Sequence, residues 1–124
     1  MLTSEIINQN IPRLKLLDTV AKARQLVNDF KLTHLPVVNE KKYLGMISEE
    51  DLLDIDDEKA TIDMIQEQFI LVYIQDDVHF LNAISYCNQY ETNLVPVIDK
   101  NAEFIGVVTA TDLLRSIGEF SGAN

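Results

Sequence analysis

Two copies of one helix-strand-strand-helix unit, a mixed α/β (α+β) architecture, are encoded in this 124-residue chain. Three observations lead to that reading. Pro36-Val37-Val38 followed by Gly45-Met46-Ile47-Ser48-Glu49-Glu50-Asp51-Leu52-Leu53 is written again as Pro96-Val97-Ile98 followed by Gly106-Val107-Val108-Thr109-Ala110-Thr111-Asp112-Leu113-Leu114. Val20, Ala23, Val27, Phe30 and Pro36 lie sixty positions before Phe80, Ala83, Cys87, Tyr90 and Pro96, while Gly45 and Asp51 lie sixty-one before Gly106 and Asp112. The apolar positions of the first helix recur at intervals of three and four, as an amphipathic helix requires. Duplicated units of this size do not bury their apolar faces alone, so with two copies each must close on the other. Residues 1–60 form the first repeat and 61–124 the second, within one compact module.

The elements follow in order. Asp18 or Thr19 caps a helix over Val20 to Phe30, with Arg24 and Asn28 turned outward. Leu35 to Val38 is a short apolar strand that ends in the polar turn Asn39-Glu40-Lys41-Lys42, and Tyr43 to Ile47 is the returning strand. Ser48 opens the next helix. The second copy repeats this with a helix near His79 to Tyr90, strands at Leu94 to Ile98 and Glu103 to Val108, and a helix from Thr111. A shorter lead-in precedes each unit: a helical turn within Ser4 to Asn10, closed before Pro12, and its counterpart Thr61 to Gln66, followed by a strand over Ile70 to Ile74. From Ser116 the chain passes from helix into small residues, as a linker or boundary would.

Composition removes several classes of function. A formal net charge of −10 argues against nucleic acid, whose binding draws on Lys and Arg against phosphate. The longest apolar stretch, Phe69 to Ile74, is far short of the roughly 20 residues that span a bilayer, so no membrane partner is expected. The start carries no basic segment followed by an apolar one, and a lone cysteine, Cys87, leaves no disulfide framework; a cytoplasmic protein is the reading. Val27 at the aligned position makes Cys87 a packing residue. Glu49-Glu50-Asp51 and Asp54-Ile55-Asp56-Asp57-Glu58 read as a solvated helix end and linker, with a divalent cation as the lesser alternative; their spacing is not that of a calcium loop.

The doubled Pro-Val strand and the doubled glycine-to-aspartate segment resemble the cystathionine-beta-synthase (CBS) domain, in tandem as a Bateman module, and the resemblance covers almost the whole chain. It implies two units packed through their sheets about a pseudo-twofold axis with two clefts between them. Relatives commonly bind adenosine-containing ligands there, such as AMP, ATP or S-adenosylmethionine, and act as regulatory sensors.

Ser48 with Asp51, and Thr109 with Asp112, stand where a strand turns into a helix. The hydroxyl of such a pair caps the helix, which stabilises its start by about 1 kcal/mol. The carboxylate can also accept both hydroxyls of a ribose, while the hydroxyl and free amides of the helix start suit a phosphate or ribose oxygen. Repeat 1 places Glu49 and Glu50 inside its motif. Repeat 2 has neutral residues there and Arg115 one turn on, so Thr109, Asp112 and Arg115 are the favoured set. The position two before the proline is often basic in adenylate-binding relatives; here it is His34 in repeat 1 and Leu94 in repeat 2. His34 is therefore expected to join the ligand, and His79 only to cap or face solvent. Thr33, Val95 and Pro96 complete the candidate ligand-binding set.

No phosphate-binding glycine loop, zinc ligand set or serine elbow is written in the chain, so no catalytic function and no required cofactor are expected. Two readings stand: a sensor of an adenosyl ligand (AMP, adenosine, S-adenosylmethionine or ATP), and a ligand-independent assembly module pairing into a disc-like homodimer. The acidic balance favours a ligand of low negative charge over ATP. A C-terminal effector domain, or a separate partner protein, fits either reading.

Overall fold

The computed structural model describes residues 1–122. Repeat 1 supplies α1 (Val20–Phe30), β1 (His34–Asn39), β2 (Lys42–Ser48) and α2 (Glu49–Leu53). Repeat 2 supplies β3 (Ile74–Gln75), α3 (Leu81–Tyr90), β4 (Leu94–Ile98), β5 (Phe104–Thr109) and α4 (Ala110–Gly122). The lead-ins are 3-10 turns at Thr3–Ile6 and Ile62–Gln68.

Each hairpin is antiparallel, pairing Leu35 with Ile47 and Val37 with Gly45 in the first, Val95 with Val108 and Val97 with Gly106 in the second. A third segment lies parallel to the first strand of each: Leu14 beside Val37, and Ile74 beside Val97. The strands are almost wholly buried, because each sheet is covered on both faces, which is why they read as continuous apolar runs rather than alternating ones. In β4 the faces divide by parity. Leu94 and Ile98 join the core shared with Leu35, Val37 and Met46 of repeat 1, whereas Val95 and Val97 pack with Phe80, Ala83 and Leu113 beneath α3 and α4. The first of these clusters joins the repeats.

The lead-ins exchange partners. Asn8, in the lead-in of repeat 1, bridges Val107 in β5, with Asn8 N–H donating to Val107 O at 2.7 Å and Val107 N–H returning to Asn8 O at 3.1 Å. Ile70, in the lead-in of repeat 2, bridges Met46 in β2 in the same way, at 2.9 and 2.8 Å. The glycine of each motif makes room for this crossing. Gly45 sits at φ +133° and Gly106 at φ +144°; a Cβ on Gly45 would come 3.0 Å from Ile70 O, and one on Gly106 would come 2.4 Å from Ile7 Cγ2. Both positions thus demand glycine on two counts.

Several expectations need correction. The strand foreseen over Ile70 to Ile74 is regular only at Ile74–Gln75, because this segment leaves β2 at Ile70 to reach β4 and cannot pair with one strand throughout. Arg24 does not turn outward: its Nε and Nη2 donate to Leu52 O at 3.0 and 2.7 Å, and Nη2 also to Ile55 O, which ties down the C-terminal end of α2. Phe30, expected on the apolar face of α1, is exposed, as is its counterpart Tyr90. The helix begun at Ala110 continues to Gly122 rather than loosening from Ser116. Ala123 and Asn124 of the foreseen linker lie outside the described residues.

Candidate functional site

The structure places the candidate residues in two clefts rather than one. Each cleft is built from both repeats. One, of about 430 Å³, is lined by Thr33, His34, Ser48, Glu49, Glu50 and Asp51 of repeat 1, closed by Gln68, Ile70, Tyr90 and Glu91. The other, of about 330 Å³, is lined by Asn93, Thr109, Thr111, Asp112 and Arg115 of repeat 2, closed by Asn8, Ile11, Phe30 and Lys31. It adjoins a further hollow of about 510 Å³ that shares Asn8, Asp112 and Arg115. These volumes lie within or close to the range of small-molecule sites.

The hydroxyl-carboxylate pairs perform the capping role foreseen for them. Ser48 Oγ accepts from Asp51 N–H at 3.0 Å, and Thr109 Oγ1 accepts from Asp112 N–H at 3.1 Å. Thr109 also donates its hydroxyl to Asp112 Oδ2 at 2.8 Å, so the carboxylate is oriented from its own cap. Asn8 Nδ2 reaches the same oxygen at 3.3 Å, and Arg115 Nη1 reaches Oδ1 at 3.3 Å. The Asp112 side chain is only 20% exposed, the Arg115 side chain 63%. A half-buried carboxylate held by two long, replaceable bonds has acceptor capacity for new donors.

His34 faces the other cleft. It does not meet Thr109, Asp112 or Arg115, because its strand β1 belongs to the repeat whose own helix start carries Asp51. The residue is 7% exposed, and burial pulls its pKa below the ordinary 6.5 despite the opposing influence of Asp51. Burial thus disfavours the protonated ring, the form that would offer a phosphate a charged donor, while the neutral ring keeps one N–H donor and one acceptor for an adenine. Val95 and Pro96 are buried in β4 and line neither of the two clefts. Pro96 sits among the residues paired with β5, opposite Val107. His79 accepts from Leu81 N–H at 3.3 Å and is exposed, as foreseen. Cys87 is half-buried, and burial raises its thiol pKa, in keeping with a packing role.

Residues that the doubled motif did not point to complete the clefts: Asn8, Lys31, Asn93, Tyr90 and Glu91. Thr33 and Asn93, at equivalent positions, clasp each other across the repeat junction. Thr33 N–H donates to Asn93 Oδ1 at 3.1 Å, and Asn93 N–H donates to Thr33 Oγ1 at 3.0 Å. Their carbonyls in turn hold the two helix starts, Thr33 O accepting from Glu49 N–H and Asn93 O from Ala110 N–H, both at 2.8 Å. The junction therefore fixes where both carboxylates stand. The repeat offset could have revealed this pair, since Thr33 and Asn93 precede the two prolines by the same interval.

The comparisons with known proteins agree with this architecture. The CBS domain family model matches residues 4–58 and 69–119, and the chain belongs to that family as a tandem pair. A CBS domain pair/ACT domain protein from Thermotoga maritima superposes with a TM-score of 0.83 at 19% identity, over 96% of this chain and 98% of that one. CBSX2, solved in complex with AMP, gives 0.80 at 18% identity over 97% and 98%. Among curated sequences, a homoserine O-acetyltransferase of Methanococcus vannielii is 28% identical over 94% of this chain. The chain spans only 25% of that protein's length. No described helix is long and apolar enough to cross a membrane.

Proposed function

We propose that this CBS pair is a non-catalytic regulatory module that holds an adenosine-containing ligand in the cleft of Thr109 and Asp112. The observation that carries the reading is the Asp112 carboxylate, oriented by Thr109 and bridged by the weaker donors Asn8 and Arg115. A ribose supplies two hydroxyls at the right spacing to replace those two donors. Arg115, once displaced, is free to meet a phosphate beside Lys31. The AMP complex of CBSX2, a protein of the same fold, supports the choice of ligand class. With two cations against one carboxylate, AMP, adenosine and S-adenosylmethionine suit the cleft better than ATP, whose triphosphate adds charge to an already acidic chain. Under this reading the repeats meet near residue 60, the protein works in the cytoplasm, and occupancy is passed to a partner domain or protein. Melting curves with adenosine, AMP, S-adenosylmethionine and ATP test it: a ligand present at about a hundred times its dissociation constant adds roughly 2.7 kcal/mol to stability. Four flat curves reject the reading, as does a full shift retained in Asp112→Ala.

A second reading is favoured by a separate observation. Leu53 on α2 and Leu114 on α4, at equivalent positions of the two motifs, are 64% and 70% exposed. Such matched apolar positions suit an isologous homodimer. Light scattering of the wild type and a Leu53→Glu/Leu114→Glu variant decides whether the chain pairs through them.

A further inference from the structure

The first helix of each repeat ends in a residue with left-handed backbone, Lys31 at φ 57° and Glu91 at φ 50°. Each closes its helix in the same way, with the cap N–H donating to Val27 O in one and to Cys87 O in the other. Glycine adopts this conformation without strain. Both repeats instead carry a long charged side chain there, and the signs are opposite.

Each of these residues lines the cleft of the other repeat. Lys31 borders the cleft of Thr109 and Asp112, and Glu91 borders that of His34 and Asp51. The remaining charges follow the same division. The repeat-2 cleft has Lys31 and Arg115 against Asp112. The repeat-1 cleft has Glu49, Glu50, Asp51 and Glu91 with no Lys or Arg among its lining residues. Among the described residues the ion pairs are Lys22 with Asp18 and Arg115 with Asp112, so the Lys31 ammonium is not consumed by one.

We infer that the cap residue of each first helix sets the charge preference of the opposite cleft: Lys31 makes the repeat-2 cleft accept a phosphate, and Glu91 closes the repeat-1 cleft to one. The inference rests on the proposal that the repeat-2 cleft takes an adenosyl ligand, and adds which residue reads the phosphate. Arg115 is partly neutralised by Asp112 at 3.3 Å, whereas Lys31 borders the cleft from a different element and forms no ion pair among the described residues. Opposite charges at close range raise affinity for the charged ligand over its neutral analogue, and salt weakens the effect.

The test is calorimetric titration of the whole chain with AMP and, separately, with adenosine. Wild type is expected to bind one AMP per chain, more tightly than adenosine. Lys31→Glu should lower the AMP-to-adenosine affinity ratio by about five-fold or more at low salt, and Lys31→Gly should lower it without lowering the melting temperature. Lys59→Glu, an exposed change lining neither cleft, should leave the ratio within about twofold, because screening confines surface charge effects to roughly a Debye length. A ratio in Lys31→Glu no different from that in Lys59→Glu overturns the role of Lys31, and two AMP bound per wild-type chain overturns that of Glu91. If neither compound binds wild type, the adenosyl reading itself has failed.

Discussion

Replacing Gly106 with alanine tests the way the two repeats interlock. At φ +144° a side chain is strained whatever space surrounds it, at a cost of about 1 to 3 kcal/mol. The new Cβ would also stand 2.4 Å from Ile7 Cγ2 and 3.0 Å from Asn8 O. Ile7 can swing away, but Asn8 O accepts from Val107 N–H at 3.1 Å and is fixed by that bridge, so overpacking adds roughly 1 to 3 kcal/mol. A loss of about 3 kcal/mol is expected, which for a domain of this size lowers the melting temperature by on the order of 10 °C. Gly45→Ala, at φ +133° with Ile70 O and Phe69 Cβ both at 3.0 Å, should cost a similar amount. Gly118→Ala provides the contrast: nothing lies within 4 Å of its Cβ position in α4, and the exchange should stabilise the helix by about 0.5 to 1 kcal/mol. Urea unfolding followed by circular dichroism reads all three, with unchanged m-values showing that stability alone has moved. In an Ile7→Ala background Gly106→Ala should cost less, since the closest contact is gone, but the strain in φ should remain. If Gly106→Ala or Gly45→Ala unfolds within 0.5 kcal/mol of wild type (about the scatter of a neutral surface change), or if Gly118→Ala is the most damaging of the three, the interlocking described here is wrong.

Three further outcomes follow from particular contacts. Arg24→Ala should destabilise by about 1 to 3 kcal/mol, because two carbonyls at the end of α2 lose a charged donor; lysine cannot supply the same fork, so Arg24→Lys should recover only part of the melting temperature. Asn93→Ala removes the side-chain half of the clasp, the Oδ1 that accepts from Thr33 N–H at 3.1 Å, together with the Asn93 Nδ2 bond to Lys31 O at 2.8 Å, and should cost about 1 to 2 kcal/mol while loosening both helix starts; hydrogen exchange at Glu49 and Ala110 N–H, faster in the variant, checks it. In the unfolded chain His34 gains its proton at the ordinary 6.5, whereas burial lowers that pKa in the folded chain. Wild-type stability should therefore be fully present above that value and decline as the pH falls from it towards the lowered folded-state pKa. His34→Leu, which copies Leu94, should flatten the decline between pH 7 and 5 in paired urea titrations. An equally steep decline in both proteins assigns the pH dependence to other groups.

Much of the fold was legible because both repeats spell it. The prolines, the glycines and the hydroxyl-carboxylate pairs placed strands β1, β2, β4 and β5 and the helix starts after β2 and β5 within a few residues. The local capping chemistry of Ser48 and Thr109 needed nothing beyond neighbours three residues away. The clefts were less legible, since each takes residues from both halves and sequence spacing does not say which half closes on which. That is why the sequence pattern groups His34 with Thr109 and Asp112, whereas β1 carries it to Asp51. Lys31 and Glu91 carry no signal in the sequence, because a charged residue just past a helix reads as ordinary surface. Periodicity turns Arg24 towards solvent for the same reason: it tells which side of α1 faces the core, but not that the end of α2 lies beside it. Ile70 to Ile74 has the composition of a strand, and only the exchange of lead-ins explains why it pairs at Ile70 and again at Ile74 but not between.

A crystal structure of the full chain grown with AMP bears most directly on the proposed function. The ribose hydroxyls should lie on Asp112 in place of Asn8 and Arg115, with the phosphate against Lys31 and Arg115, and the cleft of His34 and Asp51 should hold no nucleotide. AMP bound between His34, Asp51 and Glu91, or absent from both clefts at a saturating concentration, would contradict it.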